Sequence, residues 1–198
     1  MPELPDRYRT STTPFADEAA IVIHGDARFT VLTSRLIRIE HSPSGTFEDR
    51  ATQTVVNRAF DVPEFSVRRG EGSLEIITEH LHLVHHEGPF TRSSLSVTLT
   101  GALLDHGNVW RHGEQPGTFW GFPSNLGGTA RTLDDIDGAV ELEPGLMSMR
   151  GFSVLDDSRS IALTDDGWVA EREDGAADLY FFGYGHDFAA CLKDFYAL

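Results

Sequence analysis

The stretch LEIITEHLHLVHH, residues 74–86, decides the fold. Leu74 and Ile76 share one parity, whereas Leu81 and Leu83 have the other. Period-two alternation is typical of half-buried strands, and a change of phase requires a turn or bulge between the two runs if both are to face one core. The stretch therefore predicts two strands that are joined by a short turn and pack their apolar side chains on the same side.

The same period extends along the chain in both directions. No helical period intervenes between the runs, and turn-forming residues separate them, as at residues 43–45. This pattern is typical of an antiparallel β-sandwich and not of a βαβ sheet, so we predict a mainly β fold. The predicted strands comprise residues 21–23, 28–33, 36–42, 54–56, 65–68, 74–78, 81–86, 95–99, 152–155, 161–163, 168–169 and 179–182.

The middle of the chain departs from this period. The alternation dissolves over residues 101–151, and we expect a long irregular segment around residues 124–151, because loops of this length in a domain are usually functional or mobile. Nothing resembles a linker strong enough to split the chain. We therefore expect residues 1–20 to form an N-terminal extension and residues 21–198 a single sandwich domain.

The end of the chain changes to a helical period. Phe188, Leu192 and Phe195 share one helical face, and Asp187 before them is a suitable N-cap, so we predict a short C-terminal helix. An apolar stripe needs a surface to pack on, and exposed apolar patches promote association. We expect a weak homodimer whose contact includes this helix and Tyr196.

Composition limits the partners and the compartment. The 198 residues carry a net charge of -15, which disfavours nucleic acid and membrane surfaces as partners and leaves a neutral sugar unaffected. Cys191 is the only cysteine, so no intrachain disulfide can form. The N-terminus lacks the pattern of a signal peptide, and no apolar run is long enough to span a membrane. We predict a cytoplasmic protein.

Three histidines invite comparison with a metal site. His80, His82 and His86 share strand parity, so their rings could project from one face as some zinc sites require. No fourth ligand can be identified, and polar side chains on the solvent face of a strand explain the pattern equally well. We therefore expect no metal and no cofactor.

The adjacent acidic pairs do not form a catalytic dyad. Neighbouring residues on a strand point to opposite faces, whereas glycoside hydrolysis needs two carboxyl groups that converge on one bond. Asp165, Asp166 and Gly167 instead predict a hairpin turn. Trp110 and Trp120 lie in or beside the irregular region, where aromatic rings can stack on a sugar or fill the core.

The last third of the chain resembles glycoside hydrolase family 31, the α-glucosidase and α-xylosidase family. The resemblance rests on NLGGTARTLDDIDG (residues 125–138), PGLMSMRGFSVLDDS (144–158), DGW (166–168) and YFFGYGHDFAACLKDFY (180–196), in that order and spacing. It implies a galactose-mutarotase-like β-sandwich that precedes a catalytic (β/α)8 barrel. The chain would then end where the barrel begins.

This resemblance also implies an activity for a longer protein. The family retains configuration while hydrolysing α-glycosidic bonds with two barrel aspartates and no cofactor, and neither aspartate can be placed on this chain. A loop of the sandwich helps to close the sugar pocket in similar enzymes, and residues 131–140 match that loop. The resemblance therefore implies substrate contacts with an α-linked oligosaccharide through Arg131, Asp134 and Asp137, and we add Trp120 as a stacking residue.

Two alternatives remain open at this stage. The first is a stand-alone carbohydrate-binding sandwich that binds sugar through Trp120 without chemistry. The second is a mutarotase-type epimerase of the same fold, which needs a general acid and base such as His106, His112 and Glu114. Under the favoured interpretation, this chain alone does not hydrolyse α-glucosides.

Overall fold

The computed structural model describes residues 11–101, 109–115, 117–119, 122–128, 137–138 and 144–198. A short 3-10 turn at Glu18–Ala20 precedes the first strand. The described strands and helix are β1 (Ile21–His24), β2 (Ala27–Thr33), β3 (Leu36–His41), β4 (Phe65–Gly70), β5 (Ser73–Thr78), β6 (Leu81–His86), β7 (Leu95–Leu99), β8 (Val109–Arg111), β9 (Thr118–Phe119), β10 (Phe122–Pro123), β11 (Phe152–Asp156), β12 (Ala162–Leu163), β13 (Val169–Ala170), β14 (Ala177–Gly183) and α1 (Phe188–Ala197).

Two five-stranded antiparallel sheets make up most of the fold. Sheet A has the order β1-β2-β3-β14-β11, and sheet B has the order β4-β5-β6-β7-β8. Two short hairpins, β9–β10 and β12–β13, add two-stranded sheets. This arrangement confirms the predicted mainly β, antiparallel fold with one C-terminal helix.

The main core lies between sheets A and B. Both sheets contribute apolar side chains to one cluster of buried residues, as a β-sandwich requires. Its members are Val22, Ala27, Phe29, Val31, Ile37, Ile39, Leu74, Ile76, Leu81, Leu83, Leu95, Val97, Leu99, Trp110, Phe152, Leu179 and Phe181.

A turn joins β5 to β6 where the sequence changes phase. The Thr78 hydroxyl accepts hydrogen bonds from the backbone N–H groups of His80 (3.2 Å) and Leu81 (2.9 Å), which closes the turn. Leu74 and Ile76 before it and Leu81 after it are all completely buried. The prediction of a turn that keeps both runs on one core is confirmed.

The outer face of sheet A corrects the prediction of half-buried strands. Every residue of β2 from Ala27 to Leu32 is buried, because side chains on both faces of the strand are covered. Polar side chains with the parity of a solvent face are buried as well, including Arg28, Arg38 and Asp178. Chain segments and α1 cover this face, so sheet A is a middle layer and sheet B an outer one.

Other elements differ from the sequence prediction in smaller ways. The strand predicted at residues 54–56 is wrong, because the Thr52 hydroxyl accepts from the backbone N–H groups of Thr54 (3.2 Å) and Val55 (2.9 Å) in a bend. Within residues 101–151, the prediction missed β8, β9 and β10. The predicted turn at residues 165–167 is confirmed, since it joins β12 to β13.

Helix α1 begins as predicted but turns a different face inward. The Asp187 carboxylate accepts a hydrogen bond from the backbone N–H of Ala190 (3.2 Å) and caps the helix. Cys191 is buried and Phe195 packs beside it, whereas Leu192 is 37% exposed. The predicted stripe therefore misplaced Leu192. No helix among the described residues is long and apolar enough to cross a membrane.

Candidate functional site

The side chain of Asn125 and several backbone hydrogen bonds join the described residues on either side of the segment 129–143. Asn125 Oδ1 accepts hydrogen bonds from the backbone N–H groups of Gly127 (2.8 Å) and Gly145 (2.7 Å), and its Nδ2 donates to the carbonyl of Gly145 (2.8 Å). Beside it, Asn125 and Ser148 form an isolated antiparallel bridge. The two ends of the segment are thus held together across 20 residues of sequence.

Close backbone contact accompanies these hydrogen bonds. A Cβ atom on Gly145 would collide with the carbonyl of Gly127, so only glycine fits at this position. The backbone N–H of Leu126 donates to Met147 O (3.0 Å), and that of Met149 donates to Ser124 O (2.7 Å). We call the described residues 124–127 and 145–149 the loop base.

The loop base lies against the turn that leads into α1. Gly185 N donates to Gly151 O (2.9 Å), and His186 Nε2 donates to Met149 O (3.0 Å). Met147 packs in the same apolar cluster as Cys191. Two of the four stretches that carry the family resemblance, residues 144–158 and 180–196, are therefore neighbours in space.

A cleft of about 480 Å³ adjoins the loop base. It is lined by Arg150 and Phe152, which directly follow the loop base, and on the other side by His112 and Glu114. Glu114 accepts from Arg92 Nη2 (2.6 Å) and from the backbone N–H of Arg111 (3.1 Å). The cleft therefore combines cationic, acidic and aromatic groups, a chemistry that suits a polar ligand with an apolar face.

His112 belongs to both this cleft and a cluster of histidines around Phe90, of which only His85 is fully buried. Its ring lies 5.6 Å from the ring of Phe90, which in turn lies 5.4 Å from His85 and 5.3 Å from His41. Burial lowers the pKa of His112 from its ordinary value. This shift favours the neutral form of His112, whose buried ring nitrogen Nδ1 has no hydrogen-bond partner among the described residues.

His85 is the most deeply buried member of the cluster. Its Nδ1 lies 3.0 Å from Nδ1 of His24, and its ring is completely buried beside Phe29 and Phe90. Burial lowers its pKa to about 4. The charged form would lie between two phenylalanine rings, so this end of the sandwich requires a neutral imidazole.

A second cleft of about 420 Å³ lies over the outer face of sheet A. Its wall includes Glu40, whose carboxylate pairs with Arg28 (2.7 and 2.9 Å), and Arg172, which pairs with Asp178 (2.6 Å). Because these charged groups already bond to one another, they hold the cover of sheet A in place. We assign them a structural role.

The structure tests few of the residues that the sequence indicated. Asp137 is exposed. Arg131, Asp134 and Trp120 lie outside the described residues, as does His106. His112 and Glu114, proposed for an epimerase, lie in one cleft.

Two of the three histidines of the metal hypothesis, His80 and His82, have other partners. His82 Nε2 lies 2.9 Å from Glu75 Oε2, and His80 contacts Ser34 (2.9 Å) and Arg35 (3.2 Å). No group of three or more metal-ligating side chains occurs in the described part of the chain.

Sequence reasoning missed Asn125, His85 and the buried ion pairs. Asn125 stands at the start of the resembling segment, and this was the only signal for it. His85 has the parity of Leu81 and Leu83, so its phase could have indicated burial. The ion pairs carried no such signal, because buried and solvated charges alternate in the same way.

Comparisons with known proteins give limited information. No protein-family model matches the chain. No curated protein matches it either. Among solved structures, it is similar to a GH31 dextranase of Flavobacterium johnsoniae complexed with glucose, at 11% identity and a TM-score of 0.46. A mutant of that dextranase complexed with isomaltotriose gives 12% identity and a TM-score of 0.45.

In both comparisons the similarity covers 87% of this chain and 26% of the solved one. The chain thus spans about a quarter of the length of the structures it matches. Similarity at this level carries no inference about function.

Proposed function

We propose that this chain is an accessory β domain of a retaining α-glucosidase-type glycoside hydrolase. In this proposal the domain, residues 21–198 with the extension 1–20, supports a catalytic (β/α)8 barrel and contributes residues 131–140 to the sugar pocket. The substrate is an α-linked oligosaccharide, and no cofactor takes part. A cytoplasmic location remains a prediction.

The loop base is the observation that carries this proposal. A carboxylate can bind two neighbouring sugar hydroxyls only if the backbone that bears it is held in a defined position. The closed base at Asn125 and Gly145 supports the proposal, because it joins the two described ends between which Asp134 and Asp137 lie in the sequence. The motif order of the resemblance supports the same assignment.

The test is substitution of the two carboxylates in the complete enzyme. Asp134→Ala or Asp137→Ala should lower kcat/KM by about tenfold or more, because a hydrogen bond to a charged acceptor contributes about 1.5–3 kcal/mol. Thermal stability should change little. Asp165→Ala, at an exposed turn, is the matched control and should keep wild-type kinetics. If both loop variants also keep them, the sugar-binding role is wrong.

The exposed face of α1 is proposed to contact the barrel. Tyr196 is 82% and Leu192 37% exposed, so α1 leaves apolar surface uncovered in the described part of the chain. The 198-residue chain alone should therefore associate weakly as a homodimer at high salt, where the net charge of -15 is screened. Sedimentation equilibrium measures this. The proposal is wrong if the protein stays monomeric at high concentration. It is also wrong if a substitution outside α1 abolishes the association.

An epimerase is the second candidate, because His112 and Glu114 line one cleft. If the chain is an epimerase, the 198-residue protein should accelerate the mutarotation of α-glucose. The substitution His112→Asn should then abolish this acceleration. Polarimetry distinguishes the candidates, since the accessory domain should neither mutarotate glucose nor hydrolyse an aryl α-glucoside. Sugar binding without either reaction would favour a stand-alone binding sandwich.

A further inference from the structure

We propose that residues 87–94, the loop between β6 and β7, form an acid-sensitive latch on one end of the sandwich. A cluster of four histidines packs around Phe90 of this loop while the imidazoles are neutral, and their protonation releases the ring. The histidines are His24, His41, His85 and His112. This inference does not rest on the proposed function, because it uses only contacts within the described sandwich. We call residues 87–94 the latch loop.

Phe90 is the residue that docks the latch loop on the sandwich. Its ring is partly buried and packs against the main core, whereas Thr91 and Arg92 are exposed. Hydrogen bonds between Thr91 and Ser94 shape the loop without reaching either sheet. Arg92 pairs with Glu114 (2.6 Å), but an exposed ion pair contributes little. The loop therefore stays closed chiefly because Phe90 is packed.

The surroundings of Phe90 are mostly imidazole rings. Its ring centroid lies 5.3 Å from that of His41, 5.4 Å from that of His85 and 5.6 Å from that of His112. His41 ends β3 in sheet A, whereas His85 lies on β6 and His112 follows β8 in sheet B. A neutral imidazole packs on a phenylalanine ring as another aromatic group, but a charged imidazole in a buried site loses its hydration. Protonation therefore opposes the packing that closes the loop.

The contact between His24 and His85 accommodates only one hydrogen. Their Nδ1 atoms lie 3.0 Å apart, so one ring donates an N–H and the other accepts it. His85 Nε2 is buried and makes no hydrogen bond to the described residues. A proton added to either ring therefore places a hydrogen on this buried nitrogen, because the shared contact is already occupied. A second proton would set two N–H groups and two like charges against each other.

The electrostatic surroundings favour the neutral cluster. Burial and the neighbouring His24, His86 and His41 lower the pKa of His85 to about 4, against a smaller opposing effect of the Gly88 backbone. Other titratable or charged groups beside the cluster are Glu87, Arg92, Glu114 and Asp156. No carboxylate among the residues that the structure describes hydrogen-bonds to a histidine of the cluster. The closed loop is thus fully stable above about pH 6.5 and loses stability as the pH falls toward 4.

Release of the latch loop would change the cleft that it borders. Arg92 of the loop and His112 of the cluster both line the cleft of about 480 Å³. When the loop detaches, the cleft loses the wall that Arg92 forms. The carboxylate of Glu114 also loses its ion pair with Arg92. Acid would therefore widen this cleft and free an anionic group within it.

Hydrogen exchange of the 198-residue chain at about pH 7.5 and about pH 5, corrected for intrinsic exchange rates, tests this proposal. The amides of His86 and Ser94 report on the loop, because they donate to Ser94 O (2.7 Å) and Thr91 O (3.2 Å). Their opening constant should rise by about 30-fold at the lower pH, as the change in the pKa of His85 from 6.5 to about 4 requires. Low concentrations of urea should not affect this opening, whereas exchange of the β5 amides should accelerate.

Two substitutions on β6 separate the latch from a general effect of acid. His85→Leu should reduce the rise in the opening constant to less than about fivefold, because the most strongly shifted group is gone. His82→Asn is the matched control, since His82 is on the same strand but pairs with Glu75 (2.9 Å) away from Phe90. This variant should keep the full rise.

Substitution of Phe90 tests the anchor itself. Phe90→Ala should open the loop already at about pH 7.5 and weaken its response to acid, because His85 is then hydrated in both states. Phe90→Leu keeps an apolar anchor, should fall between the wild type and Phe90→Ala, and serves if the alanine variant does not fold. The latch is overturned if the loop opens equally at both pH values or if His85→Leu keeps the full rise. It is also overturned if loop and core amides share one opening constant and one urea dependence.

Discussion

Sheets A and B differ in whether their outer faces are covered. In sheet B, β5 and β6 alternate strictly between buried and partly exposed residues, so one face packs on the core and the other meets water. In sheet A, β2 and β3 are buried on both faces. The outer face of sheet A is nevertheless charged, with Arg38 and Asp178 at its centre.

This difference shows that the same alternation of polar and apolar residues can place a charged side chain either in water or in a buried site, at different energetic cost. A charge on the outer face of sheet B keeps its hydration, so its partner contributes little. A charge on the outer face of sheet A has lost its water, and it depends on its partner to offset desolvation. Asp178 receives 2.6–2.8 Å hydrogen bonds from Arg38 and Arg172, which meet this need.

The largest expected effect comes from Asp178→Asn. This change leaves Arg38 buried without its main anionic partner, so we expect a loss of about 3–5 kcal/mol in the free energy of unfolding, measured with urea. Glu75→Gln is the matched change on sheet B, where the carboxylate pairs with the partly exposed His82, and it should cost less than about 1 kcal/mol. Similar losses in the two variants would break the comparison.

The burial of His85 between the sheets predicts that the free energy of unfolding depends on pH. The pKa of His85 is lowered by burial to about 4 from an ordinary value of 6.5, so the unfolded chain takes up a proton first as the pH falls. Stability should be fully present above about pH 6.5 and decline by up to about 3 kcal/mol as the pH falls to about 4. Urea unfolding across this range measures it.

Two controls sharpen this prediction. His85→Leu should flatten the profile between pH 6.5 and 4, whereas the exposed His86→Asn should leave it as in the wild type.

The outer face of sheet A should respond at lower pH. Burial opposes ionisation of Asp178, but Arg38 and Arg172 outweigh it and lower its pKa from 3.8 to about 2, so this contribution is lost between those values.

The smallest expected effect tests the contact between the sheets. Gly183, near the end of β14, faces sheet B, and a Cβ there would lie 2.5 Å from Leu81 Cδ2 and 3.0 Å from Phe181 Cε1. We expect Gly183→Ala to cost about 1–3 kcal/mol, because overpacking moves side chains off their preferred rotamers. Combining it with Leu81→Ala should recover part of that loss, and strict additivity of the two changes would argue against the contact.

The strands of both sheets were largely predictable from sequence, apart from β8, but the burial of the outer face of sheet A was not. The runs around Leu74 and Leu83 alternate because water covers one face, and period two records this directly. Arg28 and Arg38 alternate with apolar residues in the same way, but their partners come from elsewhere in the chain. Arg38 and Asp178 are 140 residues apart, and no local pattern records that they meet.

The candidate site shows the same division. The resembling motifs indicated which segment to consider, and Asp137 within it is exposed. They did not indicate that Asn125 closes its base, because the partner backbone at Gly145 lies 20 residues further along. In α1, Asp187 was recognised as the cap from local chemistry, but the burial of Cys191 depends on what packs against the helix.

By itself, the sequence determined the strand periods, the turn between β5 and β6, the helix cap at Asp187 and the mainly β class. Each of these features depends on residues that lie close together in the sequence, so a short stretch is enough to predict it. Only the tertiary structure decided that the charges of sheet A are buried, that His85 is neutral and that Asn125 joins two distant segments. Burial and pairing depend on contacts between residues that are far apart in the sequence. A local sequence pattern does not record such contacts.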